Sequence, residues 1–354
     1  MSTVVKGWMM TEPGKALEER TYELPTAAAG EAIVEVAGCG LCHTDISFLH
    51  MGVKTRAPAP LVLGHEISGY VREVGDGVDR GLLSRPVVVP AVLPCGICDL
   101  CKAGQRTICK SQIMPGNDRH GGFASHVAVP ARYLCPVGDD VLAKIELWQL
   151  AVVADAVSTP FMSVRRSELA RGDLAIVVGV GGIGIYAVQC AAAAGATVIA
   201  IDVSADRLEL AKQLGASGAI DVSGLGEKEL KERVRAEVKR LGAPSVRWRI
   251  FETSGTSAGQ RTGFSLLNHG GYMAVVGFTM DKLELRLSNL MAFDATLRGN
   301  WGCDPTLYPE IVRWVGEGKV KVGPLTKRWP LSRINEALEA AHRGELRERA
   351  VLVP

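Results

Sequence analysis

Cys95, Cys98, Cys101 and Cys109 fall within one short stretch, "PCGICDLCKAGQRTIC", of a chain with nine cysteines in all. The spacing C-x2-C-x2-C-x7-C offers four soft thiolates and no other ligand type. Four thiolates around one ion make a closed tetrahedral site, which holds a loop and leaves no position for a substrate. Disulfides are disfavoured. The opening "MSTVVKGWMMTEPGK" has no apolar leader segment, so the thiols are expected in a reducing, cytoplasmic setting. The donor set alone also admits an iron–sulfur cluster, but zinc suits a loop staple better. Chemistry on a substrate is therefore expected elsewhere.

A second stretch, "LAIVVGVGGIGIYAVQCAAAAGATVIAID", reads as strand, glycine-rich turn, helix and second strand, ending on Asp202. Gly179, Gly181, Gly182 and Gly184, with Ile183 among them, permit a tight turn and a close backbone approach to a pyrophosphate at the helix N-terminus. An acid about 20 residues on completes the dinucleotide signature. Asp202 is expected to accept from both adenosine-ribose hydroxyls and to repel a 2′-phosphate, which favours NAD over NADP. Arg207 lies near enough in sequence to admit some NADP. Val276, Gly277 and Phe278, closing "GYMAVVGF", are assigned to the same cofactor.

Other reactive types are scattered through the first half. "GCGLCHTD" supplies Cys42, His43, Thr44 and Asp45; "LGHE" supplies His65 and Glu66; "ADAVSTP" supplies Asp155. Singly, each has an ordinary reading as a buried thiol or a hydrogen-bonded side chain. Together with the four-cysteine loop, "HGGFASHVAVP" and "GVGGIG", in that order, they resemble the zinc-dependent medium-chain dehydrogenases along essentially the whole chain.

That resemblance implies a GroES-like β-rich catalytic domain followed by a Rossmann doubly wound parallel sheet, an α/β architecture with NAD and two zinc ions per chain. It implies Cys42, His65 and Asp155 as ligands of a catalytic zinc with an open fourth position. Asp155 stands where many relatives place a second thiolate, which should make the metal a harder Lewis acid. Glu66 resembles the glutamate behind the metal, Asp45 the partner that orients His65, and His43 a contact to the cofactor phosphates. Thr44 resembles the hydroxyl that takes the substrate proton before hydride passes to the nicotinamide. Ser47 replaces the relay histidine of many relatives, with His50 nearby in "SFLHMG".

A finer resemblance runs through "VVKGWMMTEPGK", "PAVLPCGICDLCKAGQRTIC" and "MPGNDRHGGFASH". These are similar to the 6-hydroxycyclohex-1-ene-1-carbonyl-CoA dehydrogenases of anaerobic aromatic degradation, which oxidise a ring alcohol carried on a CoA thioester. Lys54, Arg56 and Arg119 are candidate cations for the CoA phosphates, and Phe48, Met51, Phe161 and Trp301 candidate walls of a ring pocket. The alternatives are a general secondary-alcohol or polyol dehydrogenase, or reduction of a conjugated C=C at the same zinc. A silent NAD(H) sensor would have no need of an open metal position.

The elements that must carry these residues follow from pattern. Residues 1–157, rich in Val, Gly and Pro with short alternating runs, read as the β-type catalytic domain. Residues 158–298 alternate apolar runs with helical stretches, the βαβ signature of a parallel sheet. Residues 299–354 add helices and a final "AVLVP" strand, expected to return to the first domain. In "EKELKERVRAEVKRL", Leu230, Val234, Val238 and Leu241 share a helix face, while Glu227/Lys231 and Glu229/Arg233 point outward. A net charge of +2 argues against a nucleic-acid binder, which usually carries a basic stripe. The uncharged run from Leu174 to Ile201 is long enough for a bilayer, but its glycines and flanking acids make it buried strand–helix–strand. No membrane partner is expected; a homodimer or homotetramer is.

Overall fold

A computed structural model describes residues 2–354 and divides into two compact units. One comprises the chain up to Ser158 together with Gly302–Gly318 and Val322–Pro354. The other is Thr159–Trp301 with Lys319–Lys321. The divisions at 158/159 and 301/302 fall one and three residues beyond the expected 157/158 and 298/299, and the return segment lends three residues to the second unit.

The first unit is built on a seven-stranded sheet. Its main path runs Thr326–Pro330, Arg349–Val353, Glu31–Gly40, Glu66–Val74, Pro86–Val89, Cys135–Pro136, and His126–Pro130 pairs alongside Glu31–Gly40. The long strand Glu31–Gly40 is almost wholly buried, as its run Ala32, Ile33, Val34 requires. Two register shifts, at Ile33/Val34 and Val36/Gly38, bend it against Glu66–Val74. The C-terminal "AVLV" pairs antiparallel with it, Val351 opposite Gly40 and Leu352 opposite Cys39. The sequence pattern does not foretell Thr326–Pro330: its "TKRWP" is charged and mostly exposed, so it lacks the apolar alternation that marks a strand.

The second unit is a six-stranded, all-parallel sheet in the order Gly218–Asp221, Thr197–Asp202, Leu174–Val178, Arg249–Glu252, Tyr272–Val275, Thr296–Gly299. This is the doubly wound order, with its switch point between Leu174–Val178 and Arg249–Glu252. Leu174, Ile176, Ile199, Ile201, Ile250 and Met273 form its core with Leu230, Val234 and Val238 from the helix Glu227–Arg240. The outward pairs of that helix close as ion pairs, Lys231–Glu227 at 2.5 Å and Arg233–Glu229 at 2.7 Å. The uncharged run from Leu174 is strand, helix Gly184–Ala193 and strand. Among the described residues no single helix is long and apolar enough to cross a membrane.

Candidate catalytic metal centre and dinucleotide turn

The four loop cysteines lie together in the first unit, all as free thiols. Cys109–Cys95 and Cys98–Cys101 stand 3.5 Å apart, Cys98–Cys109 3.7 Å and Cys95–Cys101 4.0 Å. These gaps are too wide for disulfides. A tetrahedron with Zn–S bonds of ~2.3 Å has edges of about 3.8 Å, so the sulfurs already outline the polyhedron that zinc requires. Gly96 adopts φ +76° to turn the loop, and Cys98 heads the short helix Asp99–Lys102 that presents Cys101. The backbone amides of Ile97 and Cys98 pull the Cys95 thiol down to about 6, favouring the thiolate a metal needs.

The scattered residues also converge. Cys42, His65, Glu66 and Asp155 each offer a ligand atom, all within 4.8 Å of one another. Cys42 caps the helix His43–His50 at the mouth of the buried strand Glu31–Gly40. His65 and Glu66 open the neighbouring strand, with Gly64 at φ +94° making the turn. A side chain there would meet Cys39 Sγ at 2.7 Å and Phe123 at 2.8 Å, which explains the glycine of "GHE". Asp155 follows the 3-10 segment Leu147–Ala154 with φ −142°, ψ −59°. Its Oδ2 lies 3.5 Å from His65 Nε2 and 3.6 Å from Cys42 Sγ.

The donor chemistry fits a cation at this point. His65 is fully buried, yet neither ring nitrogen has a hydrogen-bond partner, and Glu66 Oε2 is equally without one. Orphaned buried polar atoms are costly, and a shared metal would satisfy His65 Nε2 and Glu66 Oε2 at once, leaving Nδ1 to face Asp45. Burial pushes the His65 imidazole down, but Asp45, Cys42 and Asp155 outweigh it and hold its pKa well above the usual range. Burial likewise pushes Glu66 up to about 7, against the pull of Arg349.

Asp45 is buried under this group. Its Oδ2 accepts from the Cys42 amide at 3.0 Å, its Oδ1 from the Gly64 amide at 3.1 Å, and Oδ1 is 3.5 Å from His65 Nδ1. It thus ties both ligand-bearing turns together. The Thr44 hydroxyl lies 3.7 Å from Cys42 Sγ. Ser47 is turned inward, donating to the His43 carbonyl at 2.9 Å, and His50 stacks on His342 with ring centroids 4.8 Å apart. Arg349 joins Glu66 Oε1 at 2.7 Å and the Leu41 carbonyl at 3.2 Å. Sequence reasoning missed it, because an arginine in a C-terminal strand carries no local sign of a partner nearly three hundred residues away.

In the second unit Gly179 takes φ +83°, where a Cβ would strike the Ser254 backbone at 2.6 Å, and a Cβ on Gly184 would reach the Gly179 carbonyl at 1.8 Å. Gly181 and Gly182 form the outer rim, Ile183 caps the helix, and the Arg207 guanidinium lies 3.6 Å from where a Gly181 Cβ would be. Asp202 is already engaged: Oδ2 accepts from Val180 N at 2.7 Å, and Oδ1 from Val203 N at 2.8 Å and Ser204 N at 3.0 Å. Three of about four acceptor positions are filled, so only one ribose hydroxyl finds a free lone pair, where the sequence suggested two. The Val276 and Gly277 amides donate to the Glu252 carbonyl at 2.9 and 3.0 Å, and Phe278 is exposed beside them. Phe161 is core, and the four candidate pocket residues divide between units, Phe48 and Met51 in the first, Phe161 and Trp301 in the second. Of the candidate CoA cations, Arg56 pairs with Asp118 at 3.1 Å and Arg119 with Glu31 at 2.6 Å, while Lys54 is exposed.

Two family descriptions match the chain, "Alcohol dehydrogenase GroES-like domain" over residues 28–139 and "Zinc-binding dehydrogenase" over 182–317. An alcohol dehydrogenase from Geobacillus stearothermophilus is 29% identical over 352 residues, 98% of each chain. An L-threonine 3-dehydrogenase from Rhizobium johnstonii is 26% identical over 97% of each. The crystal structure of the alcohol dehydrogenase from the hyperthermophilic archaeon Aeropyrum pernix matches with a TM-score of 0.87 at 29% identity, over 99% of this chain and 100% of that one.

Proposed function

Because this chain belongs to the zinc-binding medium-chain alcohol dehydrogenase family, we propose that it oxidises a secondary alcohol with NAD, and that Cys42, His65 and Asp155 hold its catalytic zinc. The observation that carries this is the convergence of those side chains with Glu66 around unpartnered, buried ligand atoms. Zinc, when bound, supplies the Lewis acidity that lowers a hydroxyl's pKa toward neutrality.

The chain's own residues do the rest. Thr44 takes the substrate proton on its hydroxyl. Asp45 fixes the turns that present Cys42 and His65, and Glu66, braced by Arg349, stands as a reserve carboxylate. The inward hydroxyl of Ser47 is spent on its own helix, so the proton leaves Thr44 without help from that position. Gly179 to Gly184 hold the pyrophosphate on backbone amides. The Asp202 carboxylate selects NAD by repelling a 2′-phosphate, with one hydroxyl contact remaining to it.

The substrate within this class is a ring alcohol on a CoA thioester by sequence likeness, or a free secondary alcohol by the side-chain pairing: Arg56 and Arg119 are neutralised by carboxylates. Initial rates of NADH formation from 6-hydroxycyclohex-1-ene-1-carbonyl-CoA and from cyclohex-2-en-1-ol separate the two. A strong preference for the thioester supports the first. Equal rates retire it, and no NADH from any secondary alcohol by the zinc-loaded protein retires the activity itself.

The protein acts as an oligomer in this reading. Thr296–Gly299 is an edge strand, and on the same stretch of the second unit Phe278, Met280, Leu287 and Met291 are 55%, 62%, 63% and 79% exposed. An unpaired edge beside an apolar patch is a surface that a second copy would cover.

A further inference from the structure

The segment that re-enters the first unit at Gly302 touches both metal loops. Tyr308 is fully buried, and its hydroxyl donates to the Ala154 carbonyl at 2.5 Å. Ser158 donates to that same phenol oxygen at 3.1 Å, and its hydroxyl is also 3.1 Å from the Ala154 carbonyl and 3.4 Å from that of Asp155. The Ala154 carbonyl belongs to the peptide plane that leads directly into Asp155, whose backbone has left the helical region. Burial holds the phenol proton in place at any ordinary pH, so the donor is permanent. Four residues earlier, buried Asp304 caps a turn through Thr306 N at 3.0 Å and Thr306 Oγ1 at 2.8 Å. It also pairs at 3.0 Å with Arg106, which lies between Cys101 and Cys109.

We propose that the segment Asp304–Tyr308 is the positioning element of the catalytic metal site: Tyr308 fixes the peptide from which Asp155 reaches the metal, and Arg106 anchors that segment to the tetracysteine loop. This rests on Asp155 being a ligand. A carboxylate has more freedom to swing than a histidine ring held from behind, so the backbone that carries it needs a rigid backing. The tyrosine, brought from 153 positions downstream, supplies it. The tetracysteine site then has a purpose in this chain beyond closing its own loop.

The test is metal release from the holoenzyme into a chromogenic chelator, where the open and the closed site should empty in separate phases. Tyr308→Phe removes only the hydroxyl. It should speed the catalytic phase about tenfold, as loss of a ligand's supporting partner does, and leave the tetracysteine phase unchanged. The visible d–d bands of the Co2+-substituted catalytic site should shift. Ser158→Ala should move the same phase by less, and serves if Tyr308→Phe does not fold. Wild-type release from both variants overturns the proposal, and so does equal acceleration of both phases, which would mean general loosening. Asp155→Asn separates the two claims. If it loses the catalytic metal while Tyr308→Phe and Ser158→Ala do not, the ligand stands and the positioning role falls. If it keeps both metals with unchanged release, the ligand assignment fails and the proposal with it.

Discussion

Replacing Asp202 by Asn should do more damage to the empty protein than a cofactor contact alone would explain. The carboxylate ends its strand by accepting three amides, Val203 N and Ser204 N on Oδ1 and Val180 N on Oδ2. An asparagine can keep its oxygen on the Val203–Ser204 pair, but its NH2 then faces the Val180 amide, donor against donor. The lost charge-assisted bond is worth about 1.5–3 kcal/mol, and stranding a buried amide adds about 1–3 kcal/mol. Val180 lies inside the glycine turn, immediately after Gly179, so the penalty falls on the loop that must hold the pyrophosphate.

A total of roughly 2.5–6 kcal/mol of local stabilisation should therefore go. With two units, a single unfolding free energy is not defined, so the local reporter is amide hydrogen exchange at Val180 and Gly181. Exchange there should accelerate by at least about sixtyfold without any cofactor, since ~1.4 kcal/mol is a factor of ten. NADH affinity, read by fluorescence quenching, should fall by a similar factor. Removing the negative charge should also narrow the preference for NAD over NADP. If exchange is unchanged while NADH binding weakens, Asp202 is a pure ligand contact and the account of its three amide bonds is wrong.

Other outcomes follow from the same geometry. Thr44→Val should lower turnover by at least about a hundredfold with the Michaelis constant little changed, and a near-wild-type rate removes it from the proton path. Adding zinc to protein that lacks only the catalytic metal should release protons at pH 7, because Cys42 must bind as the thiolate and His65 and Glu66 have raised pKa values beside the metal position. Both pKa values are raised, so zinc affinity should weaken as pH falls through about 7; a pH-independent affinity contradicts this. Cys98→Ser should lose one metal per chain, by elemental analysis, and leave the other in place. Met291→Glu should shift the mass measured by light scattering toward the monomer, and an unchanged mass would place the interface elsewhere.

What could be read from the sequence was whatever is decided within a few residues. The glycine turn between two apolar strands, the cysteine spacing and the face of Glu227–Arg240 are all local patterns with a period or an offset. The α/β, two-unit architecture follows from them. What escaped depends on partners that only the tertiary fold brings together. Arg56 and Arg119 looked like free cations because Asp118 and Glu31 carry no sign of their pairing, and Glu31 is 88 positions from Arg119. Asp202 looked like a two-hydroxyl acceptor because the bonds that occupy it run to backbone amides, which every sequence has. Nothing local in the sequence sets Tyr308 apart from any other aromatic in a helix. Its partners Ala154 and Ser158 belong to a stretch with no polar pattern of its own.

Asp155 shows why the metal centre needs more than its ligands. A thiolate at that position would bring a soft donor that binds zinc strongly by itself; a carboxylate binds less selectively and adds charge to an already acidic pocket. Buried beside it are Asp45 and Glu66, faced by the Arg349 guanidinium and the His65 imidazole. Such a group of acids folds only if something balances it, and two devices do so here. The Cys42 and Gly64 amides neutralise Asp45 by direct donation, and Arg349 takes one oxygen of Glu66. The donor atoms that converge there, on Asp155, Cys42, His65 and Glu66, are what a divalent ion would satisfy. Three protein donors, Cys42, His65 and Asp155, with Glu66 held back on Arg349, would leave a coordination position for substrate. A carboxylate at 155 is tolerable on these terms only if its backbone is held still, because loose carboxylates in a crowded acidic site would move apart. The tyrosine from the returning segment holds that backbone, which makes the substitution of carboxylate for thiolate and the burial of Tyr308 two halves of one arrangement.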